Sequence, residues 1–516
     1  MFLKSTMTES GIREFFKGKT IFITGGSGFM GKVLLEKLLY SCSDLKEIFL
    51  LMRPKRGKTG EQRVQEFAQI PVFHRIVKEM PDQFKKITPV YGDIVSDRLG
   101  LSDEEYKRVV STTNVVFHLA ASLKLEATLK PNVEMNLTGT WNVLEMCKEM
   151  KDLLAVLHLS TAFCNCDQNV LYEEVYEWEQ KPLDLVRCSK WMSEEAMSEM
   201  GNILMKPHPN TYTYTKRMAE ILVRDIYNEG LLNVCIIRPS IVTPAWKEPL
   251  EGWVDSLNGP IGIMIAGGKG VLRSMMCESE YTAEVIPVDM AISGIIGVAY
   301  IMGTMKERPS KIPVYNVTCS EKKRVTWGTV LNDGKRLTYE YPFDAGLWYP
   351  NGDATMNPIK HYLTLFFCQW IPAVLIDFLM LIFCQRRFMI RVQKKIYIGL
   401  GVLQFFTTRI WDFRSDNYKK IYHTLSPEER VIFNTNTEEV DQDEYLKNII
   451  IGGRQYCLKE SLDNLPRARL HLKIQYAVDI IFKMFMLYYF GKWFLNLTGL
   501  SNVINNLMNS QSSDST

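Results

Sequence analysis

The chain has 516 residues, 46% of them apolar and 23% charged, and its 61 Lys and Arg against 58 Asp and Glu leave a formal net charge of +3. These are globular proportions, which exclude a wholly disordered chain and a polytopic channel, and at roughly 100–200 residues per domain the length predicts two to four domains. A balanced charge, with no basic stripe interleaved with aromatics, argues against a nucleic-acid partner.

Residues 1–18 form a lead-in whose Glu9, Arg13, Glu14 and Lys17 interrupt any secretory apolar segment. Residues 19–24 (KTIFIT) predict a short buried strand. A glycine-rich turn follows, then a helix over residues 32–40, where Val33, Leu34, Leu38 and Leu39 fall at helical spacings. Residues 47–52 (EIFLLM), 87–91, 115–119, 154–159 and 234–237 predict five more strands, each separated by enough chain for a crossover helix. Continuous apolar strands alternating with helices predict an α/β fold, a doubly wound parallel sheet covered on both faces. This unit spans residues 19–350. The turn chemistry of residues 349–353 (YPNGD) marks a boundary.

Beyond it, residues 351–473 predict a mainly helical domain with an apolar segment at 363–384. Residues 426–444 are polar and acidic and predict an exposed excursion. Residues 474–500 predict a membrane anchor, with an amphipathic docking helix as the alternative; Asp479 and Lys483 are four apart and able to pair on a helix, and residues 501–516 form a polar tail. The 363–384 segment has 22 residues, 13 of them Leu, Ile, Phe or Val. Their insertion contributes about −4 to −8 kcal/mol against about +3 for Asp377. Arg386, Arg387, Arg391, Lys394 and Lys395 follow directly and prefer the cytosolic side, and Pro372 lies inside. The segment therefore predicts a re-entrant or interfacial hairpin, or a hydrophobic lid, with a buried core helix as the alternative.

Eleven cysteines without a CxxC pair argue against a secreted disulfide scaffold, and seven histidines without HExxH spacing against a metal site.

The turn at residues 24–31 reads TGGSGFMG. Gly25, Gly28 and Gly31 fall three apart between a strand and a helix, the arrangement that lets a backbone turn tightly, approach a pyrophosphate and pack the helix on the sheet. The helix N-terminus then presents unpaired N–H groups and a positive dipole to phosphate. After the second strand, where Asp or Glu would bond a ribose 2′-hydroxyl, stand Arg53, Lys55 and Arg56. Such cations suit a 2′-phosphate and predict NADPH. Asp93 either bonds the adenine amine or initiates a turn.

Ser160-Thr161-Ala162 follows the fifth strand, and Tyr212 and Lys216 stand one helical turn apart. A phenol is a poor acid–base group near neutrality, and a neighbouring ammonium is expected to lower its pKa. A hydroxyl from Thr161, or second from Ser160, can hold a substrate oxygen. Tyr214 points elsewhere and reads as packing. Cys164 and Cys166 lie nearby and read as packed side chains rather than nucleophiles. Lys269 and Arg273, around GGKG, either meet CoA phosphates or decorate a solvated turn.

TGGSGFMGKVLLEKLL, LLMRPKRG, NVVFHLAAS, NLTGTWNVLEMC, HLSTAFCN, YTYTK and RPSIVTPAWKEPLEGWVDSLNGPIG, followed by IPVDM, run in this order from about residue 19 to 290. The chain thereby resembles an extended short-chain dehydrogenase, and more closely the animal alcohol-forming fatty acyl-CoA reductases. Ser27 and Met30 replace the usual Thr and Leu, and Phe163 the usual Tyr. The resemblance implies a Rossmann fold in which Gly25, Ser27, Gly28, Phe29, Met30 and Gly31 line the pyrophosphate. Arg53 and Arg56 would face the 2′-phosphate, and Asp93 and Ile94 the adenine. Ala120 and Ala121 would pass under the cofactor, Lys216 would also hold the nicotinamide ribose, and Pro239 and Ser240 would flank the nicotinamide. It implies NADPH-dependent reduction of a long-chain acyl-CoA through an aldehyde to a primary alcohol, with release of CoA. The enzyme would be associated with membrane lipid, its catalytic domain facing the cytosol, at the endoplasmic reticulum or peroxisome. The alternatives are another lipid-directed or sterol dehydrogenase of the same fold and a non-catalytic NADPH-binding membrane scaffold.

Overall fold

The computed structural model describes residues 11–54 and 57–498. Its centre is a seven-stranded parallel sheet of β1 (Thr20–Thr24), β2 (Glu47–Met52), β3 (Ile87–Tyr91), β4 (Val115–His118), β5 (Ala155–Leu159), β6 (Val234–Pro239) and β7 (Val314–Val317), in the order β7-β6-β5-β4-β1-β2-β3. The six strands expected from the sequence are present to within two residues. The seventh, VYNV, is short and carries Asn316, whose buried amide donates to Leu171 O and Arg414 O rather than packing.

Strand alternation divides the interior between two faces: Ile21, Ile23 and Leu50 join one apolar core, Phe22, Phe49 and Val116 the other. The chain runs outward from β1 through β3, then returns to β4 on the other side of β1, where Thr24 pairs with His118. That reversal leaves a crevice at the carboxyl ends of β1 and β4, where ligands bind in open α/β sheets.

Two helices deliver the site. α1 (Phe29–Ser41) starts three residues earlier than its apolar spacing suggests, because extended Gly28 serves as N-cap. α2 (Thr211–Asn228) is started by Asn210, whose side chain accepts from Thr213 N at 2.9 Å, so Tyr212 falls in the first turn. Then follow α3 (Pro260–Gly268), α4 (Val288–Thr304) and α5 (Trp327–Glu340).

Residues beyond 350 return to this frame. Asp353–Thr355 pairs in parallel with Ser274–Met276. After them come α6 (Pro358–Leu365), α7 (Ile371–Ile382), α8 (Met389–Thr407), α9 (Asp416–Thr424), α10 (Gln442–Gly452) and α11 (Leu465–Leu497). α9 packs against α4 and β7, and α10 against α5. The expected exposed excursion at 426–444 is corrected. Phe433, Val440 and Thr437 are buried; Asn434 and Asn436 bond locally with Glu439, and Glu438 reaches across to Ser320 and Lys322.

α7 and α8 form a hairpin across a short connection. Asp377 is not a stray charge in an apolar segment: its carboxylate accepts from the backbone N–H groups of Phe388, Met389 and Ile390 at 2.8–3.0 Å and caps α8. The outer face is apolar and exposed, through Phe367, Leu375, Phe378 and Leu379. Among the described residues, Pro358–Ile382 is the one helical stretch long and apolar enough to cross a membrane. α11, where the sequence places the anchor, does not meet that test, carrying Asp479, Lys483 and Lys492. At 33 residues it is about 50 Å long. Asp479 ties its first half to the protein by accepting from Trp348 Nε1 at 2.7 Å, and pairs with Lys483 at 2.5 Å as the spacing predicts. Beyond Lys483 its side chains, among them Phe485, Leu487 and Trp493, are exposed.

Replacing Asp377 by Ala orphans three N–H groups and loosens the hairpin. Trypsin cleavage at Arg386 and Arg387 then accelerates at least about fivefold, the effect of roughly 1 kcal/mol of local stability.

Candidate active site

A cavity of about 620 Å³ fills the crevice at the strand reversal. The glycine turn forms one wall. Gly25 has φ +76°, and a Cβ there would lie 2.6 Å from Ala120 N. A Cβ on Gly31 would lie 2.5 Å from Gly26 Cα, so α1 and its own turn touch backbone to backbone. Ser27, Gly28, Phe29 and Met30 complete this wall, and Ala120 and Ala121 line the floor. The floor is pinned from below: Ala120 N donates to Thr24 Oγ1 at 3.2 Å, and that hydroxyl lies 2.8 Å from His118 Nδ1.

Arg53, Asp93 and Ile94 line another part of the same cavity. Arg53 Nε pairs with Asp93 Oδ2 at 3.0 Å, so Asp93 is both a turn former, accepting from Val95 N, and an ion-pair partner. Arg56 lies outside the described residues. A second cation that sequence reasoning missed, Arg63, lines the cavity and donates to Arg53 O at 2.8 Å. Its signal was legible: Thr59 and Gln62 form a capping box that starts the helix Gly60–Phe67 and aims its first turn at the site.

Ser160, Thr161, Tyr212, Lys216, Pro239 and Ser240 also line this cavity. The structure thus brings together every expected site residue that it describes. Ser160 and Thr161 differ in what they face. Ser160 Oγ lies 3.7 Å from Cys164 Sγ, whereas Thr161 interacts with the Tyr212 phenol. Ser240 Oγ is buried with no partner among the described residues. The glycine cradle, two cations and this unpartnered hydroxyl suit a phosphorylated dinucleotide.

Also missed was a strap over the turn. Trp253 stacks on Phe29 at 5.5 Å, and Asp255 pairs with Lys32 at 2.6 Å.

The sequence matches the Male sterility protein NAD-binding model over residues 23–295 and a second Male sterility protein model, Sterile, over residues 368–460. It is 34% identical to fatty acyl-CoA reductase 2 of Bos taurus, over 90% of this chain and 89% of that one. It is 33% identical to fatty acyl-CoA reductase 1 of Homo sapiens, over 91% of each. The chain belongs to the fatty acyl-CoA reductase family. Among solved structures, the reductase domain of a non-ribosomal peptide synthetase from Mycobacterium tuberculosis shares the fold, with a TM-score of 0.57 and 14% identity over 88% of this chain and 94% of that one. The terminal R domain of the myxalamid pathway does so with a TM-score of 0.54 and 18% identity, over 84% and 90%. The protein is therefore an oxidoreductase with a nicotinamide-binding Rossmann domain.

The electrostatics of this reductase's cavity are dominated by burial. Desolvation lowers Lys216 from 10.5 to about 8, and its ammonium donates to Leu159 O at 2.6 Å. The same desolvation, aided by the Lys216 charge, lowers His118 to about 3 and holds His158 neutral. The expected acidification of Tyr212 by Lys216 is corrected. Burial raises the phenol above its ordinary value, Cys164 adds to the rise, and the bond with Thr161 opposes it. Tyr214 is fully buried packing, as expected.

Cys164 is buried, donates to Glu220 Oε1 at 3.1 Å and has its pKa raised by burial and by Glu220; Cys166 is pushed up to about 11 by burial. Neither lines the cavity, and neither is an activated nucleophile. Lys269 donates to Asp344 O and pairs with Glu460, and Arg273 donates to Tyr349 O, so both serve the protein's own structure away from this cavity.

One turn beyond Lys216, Glu220 meets Arg238 in a buried two-bond pair, at 2.8 and 2.7 Å. Replacing Glu220 by Ala leaves Arg238 charged and without its carboxylate in the interior. Denaturation of the detergent-solubilised protein then shows a loss of about 3–5 kcal/mol.

Proposed function

We propose that the cavity binds NADPH and reduces long-chain fatty acyl-CoA, through an aldehyde, to a primary alcohol with release of CoA. The observation that carries this reading is that Tyr212, Thr161 and Lys216 open into the same cavity as the glycine turn and the Arg53–Arg63 cations. Arg53 and Arg63 would hold the 2′-phosphate, the turn and the α1 N-terminus the pyrophosphate, and Lys216 and Ser240 the nicotinamide end. The bound cofactor supplies hydride, two equivalents for each acyl-CoA converted to alcohol.

The chain's own residues manage the proton. Thr161 orients the thioester carbonyl, and later the aldehyde oxygen, against Tyr212. The phenol gives its proton to that oxygen as negative charge develops; at the thioester stage the resulting hemithioacetal returns its hydroxyl proton to the phenolate as the C–S bond breaks, and the departing CoA thiolate takes a proton from water. The Lys216 ammonium opens into the same cavity and adds positive charge that favours the phenolate left behind. On this reading the apolar hairpin and α11 seat the enzyme on lipid, with the basic residues from Arg386 to Lys395 and the catalytic domain both on the cytosolic side of an endoplasmic reticulum or peroxisome membrane.

Purified full-length protein given NADPH and palmitoyl-CoA oxidises two NADPH per hexadecanol formed. Tyr212→Phe lowers kcat by about 10²–10⁴-fold while NADPH fluorescence still reports binding. An unchanged rate in that variant refutes the assigned acid.

The pH dependence follows from Lys216. Because burial lowers its pKa to about 8, the ammonium is present below that pH and lost above it. The value of kcat/KM, which reports the free enzyme, falls as pH rises through about 8. A profile flat to pH 10 excludes a role for the charged amine.

A further inference from the structure

A second cavity, of about 100 Å³, opens between α3, α5 and the strand pair Ser274–Met276 and Asp353–Thr355. α3 is a wall of both cavities. Pro260 and Ile261 line the catalytic one, and Ile263, Met264 and Gly267 the second. Pro260, Met264 and Gly267, spaced by four and then three, share one stripe of the helix. At 1.5 Å per residue the stripe's ends are about 10 Å apart. One stripe of α3 therefore borders the catalytic cavity at one end and the second cavity at the other.

The walls of the second cavity are mainly apolar, with Met264, Leu272, Met275, Val330, Leu331 and Ala354. Its principal polar neighbours have partners of their own. Ser274 Oγ lies 2.8 Å from His361 Nδ1, Thr338 Oγ1 donates to Gly334 O, and Lys335 pairs with Asp353. At about 30 Å³ each the space admits roughly three or four water-sized groups, and a methylene is of that size. The two methionines supply walls that adjust to a flexible chain.

Gly267 shows what keeps the space open. A glycine in a helix costs about 1 kcal/mol relative to alanine. No contact demands one here, since a Cβ on Gly267 would meet nothing within 4 Å. The neighbouring Gly268 is different, because its Cβ would strike the Phe343 ring.

We propose that this second cavity is the subsite for the distal methylenes of the acyl chain, and that α3 leads the chain there from the thioester. The proposal rests on the acyl-CoA reading above and makes the residue at position 267 a gauge of chain length.

Two experiments on the full-length protein test it. Gly267→Phe fills the open space. In this variant the ratio of kcat/KM for stearoyl-CoA to that for octanoyl-CoA falls about tenfold or more, the effect expected when a methylene or two lose their pocket. Gly267→Ala, which a helix accepts, moves the ratio the same way by less. A ratio unchanged in both variants overturns the proposal. In the second experiment, stearoyl-CoA with a diazirine at its terminal carbon is photolysed on the wild-type protein. Adducts in the peptides of α3 and α5 support the subsite, and adducts confined to other peptides overturn it. Labelling of α3 and α5 without reduction of any acyl-CoA supports the subsite while refuting the reductase reading.

Discussion

The buried pair between Glu220 and Arg238 holds together the three segments that carry the candidate site residues. Tyr212, Lys216 and Glu220 recur every four residues on one face of α2, so the carboxylate fixes the rotation of the helix that presents the phenol and the amine. Arg238 lies near the end of β6, just before Pro239 and Ser240, and its other hydrogen bonds reach Tyr172 O at 3.0 Å and Glu174 O at 2.7 Å. The same carboxylate accepts from Cys164 and from Asn165 Nδ2, which follow Thr161. One ion pair thus sets the mutual position of α2, β6 and the turn after β5. Burial strips both groups of water, so the pair is costly to break on one side only, where a lone charge would remain in the interior.

The region beyond residue 350 completes this site as well as offering apolar surface. Tyr445 of α10 donates to Pro244 O at 2.7 Å and lies 2.7 Å from Thr243 Oγ1, and both Thr243 and Pro244 line the catalytic cavity. Gly252 and Gly452 meet backbone to backbone, at a distance that leaves no room for a Cβ on either. Cys457 Sγ donates to Ser256 O at 3.4 Å, on the strap that carries Trp253 and Asp255. The strap and the wall opposite the glycine turn are therefore held from the C-terminal side. A Rossmann unit cut at the 349–353 turn would lose that support.

Much of this was legible in the sequence because the physics is local. Six strands announce themselves as apolar β-branched runs, and the glycine turn as a spacing that only close backbone approach requires. Tyr212 and Lys216 are one helical turn apart whatever the rest of the chain does. What escaped depends on distant partners. Glu220 and Arg238 stand 18 residues apart, and nothing in either segment marks them as a pair until the helix and the strand meet. The capping box of Thr59 and Gln62 announces the helix that carries Arg63, but Arg63 joins the site only because that helix packs against β3. Asp377 reads as a penalty in an apolar segment until the next helix supplies the three N–H groups it caps. The 426–444 segment reads as exposed because its acidic residues outnumber Phe433 and Val440, although those few apolar side chains determine where it packs.

The corrected ionisation of Tyr212 bears on the direction of the chemistry. An oxidising enzyme needs a phenolate ready to take a proton from an alcohol, and would profit from an ammonium turned toward the ring. Here burial keeps the phenol protonated, and the Lys216 ammonium is engaged with Leu159 O. A protonated phenol is a poor acid toward water yet ample toward an oxygen that is becoming an alkoxide, a far stronger base than phenolate. The proton then moves when charge has developed on the substrate and not before. Burial that lowers the lysine and raises the tyrosine holds both groups protonated below about pH 8, the state from which a proton can be given to a carbonyl oxygen as it is reduced.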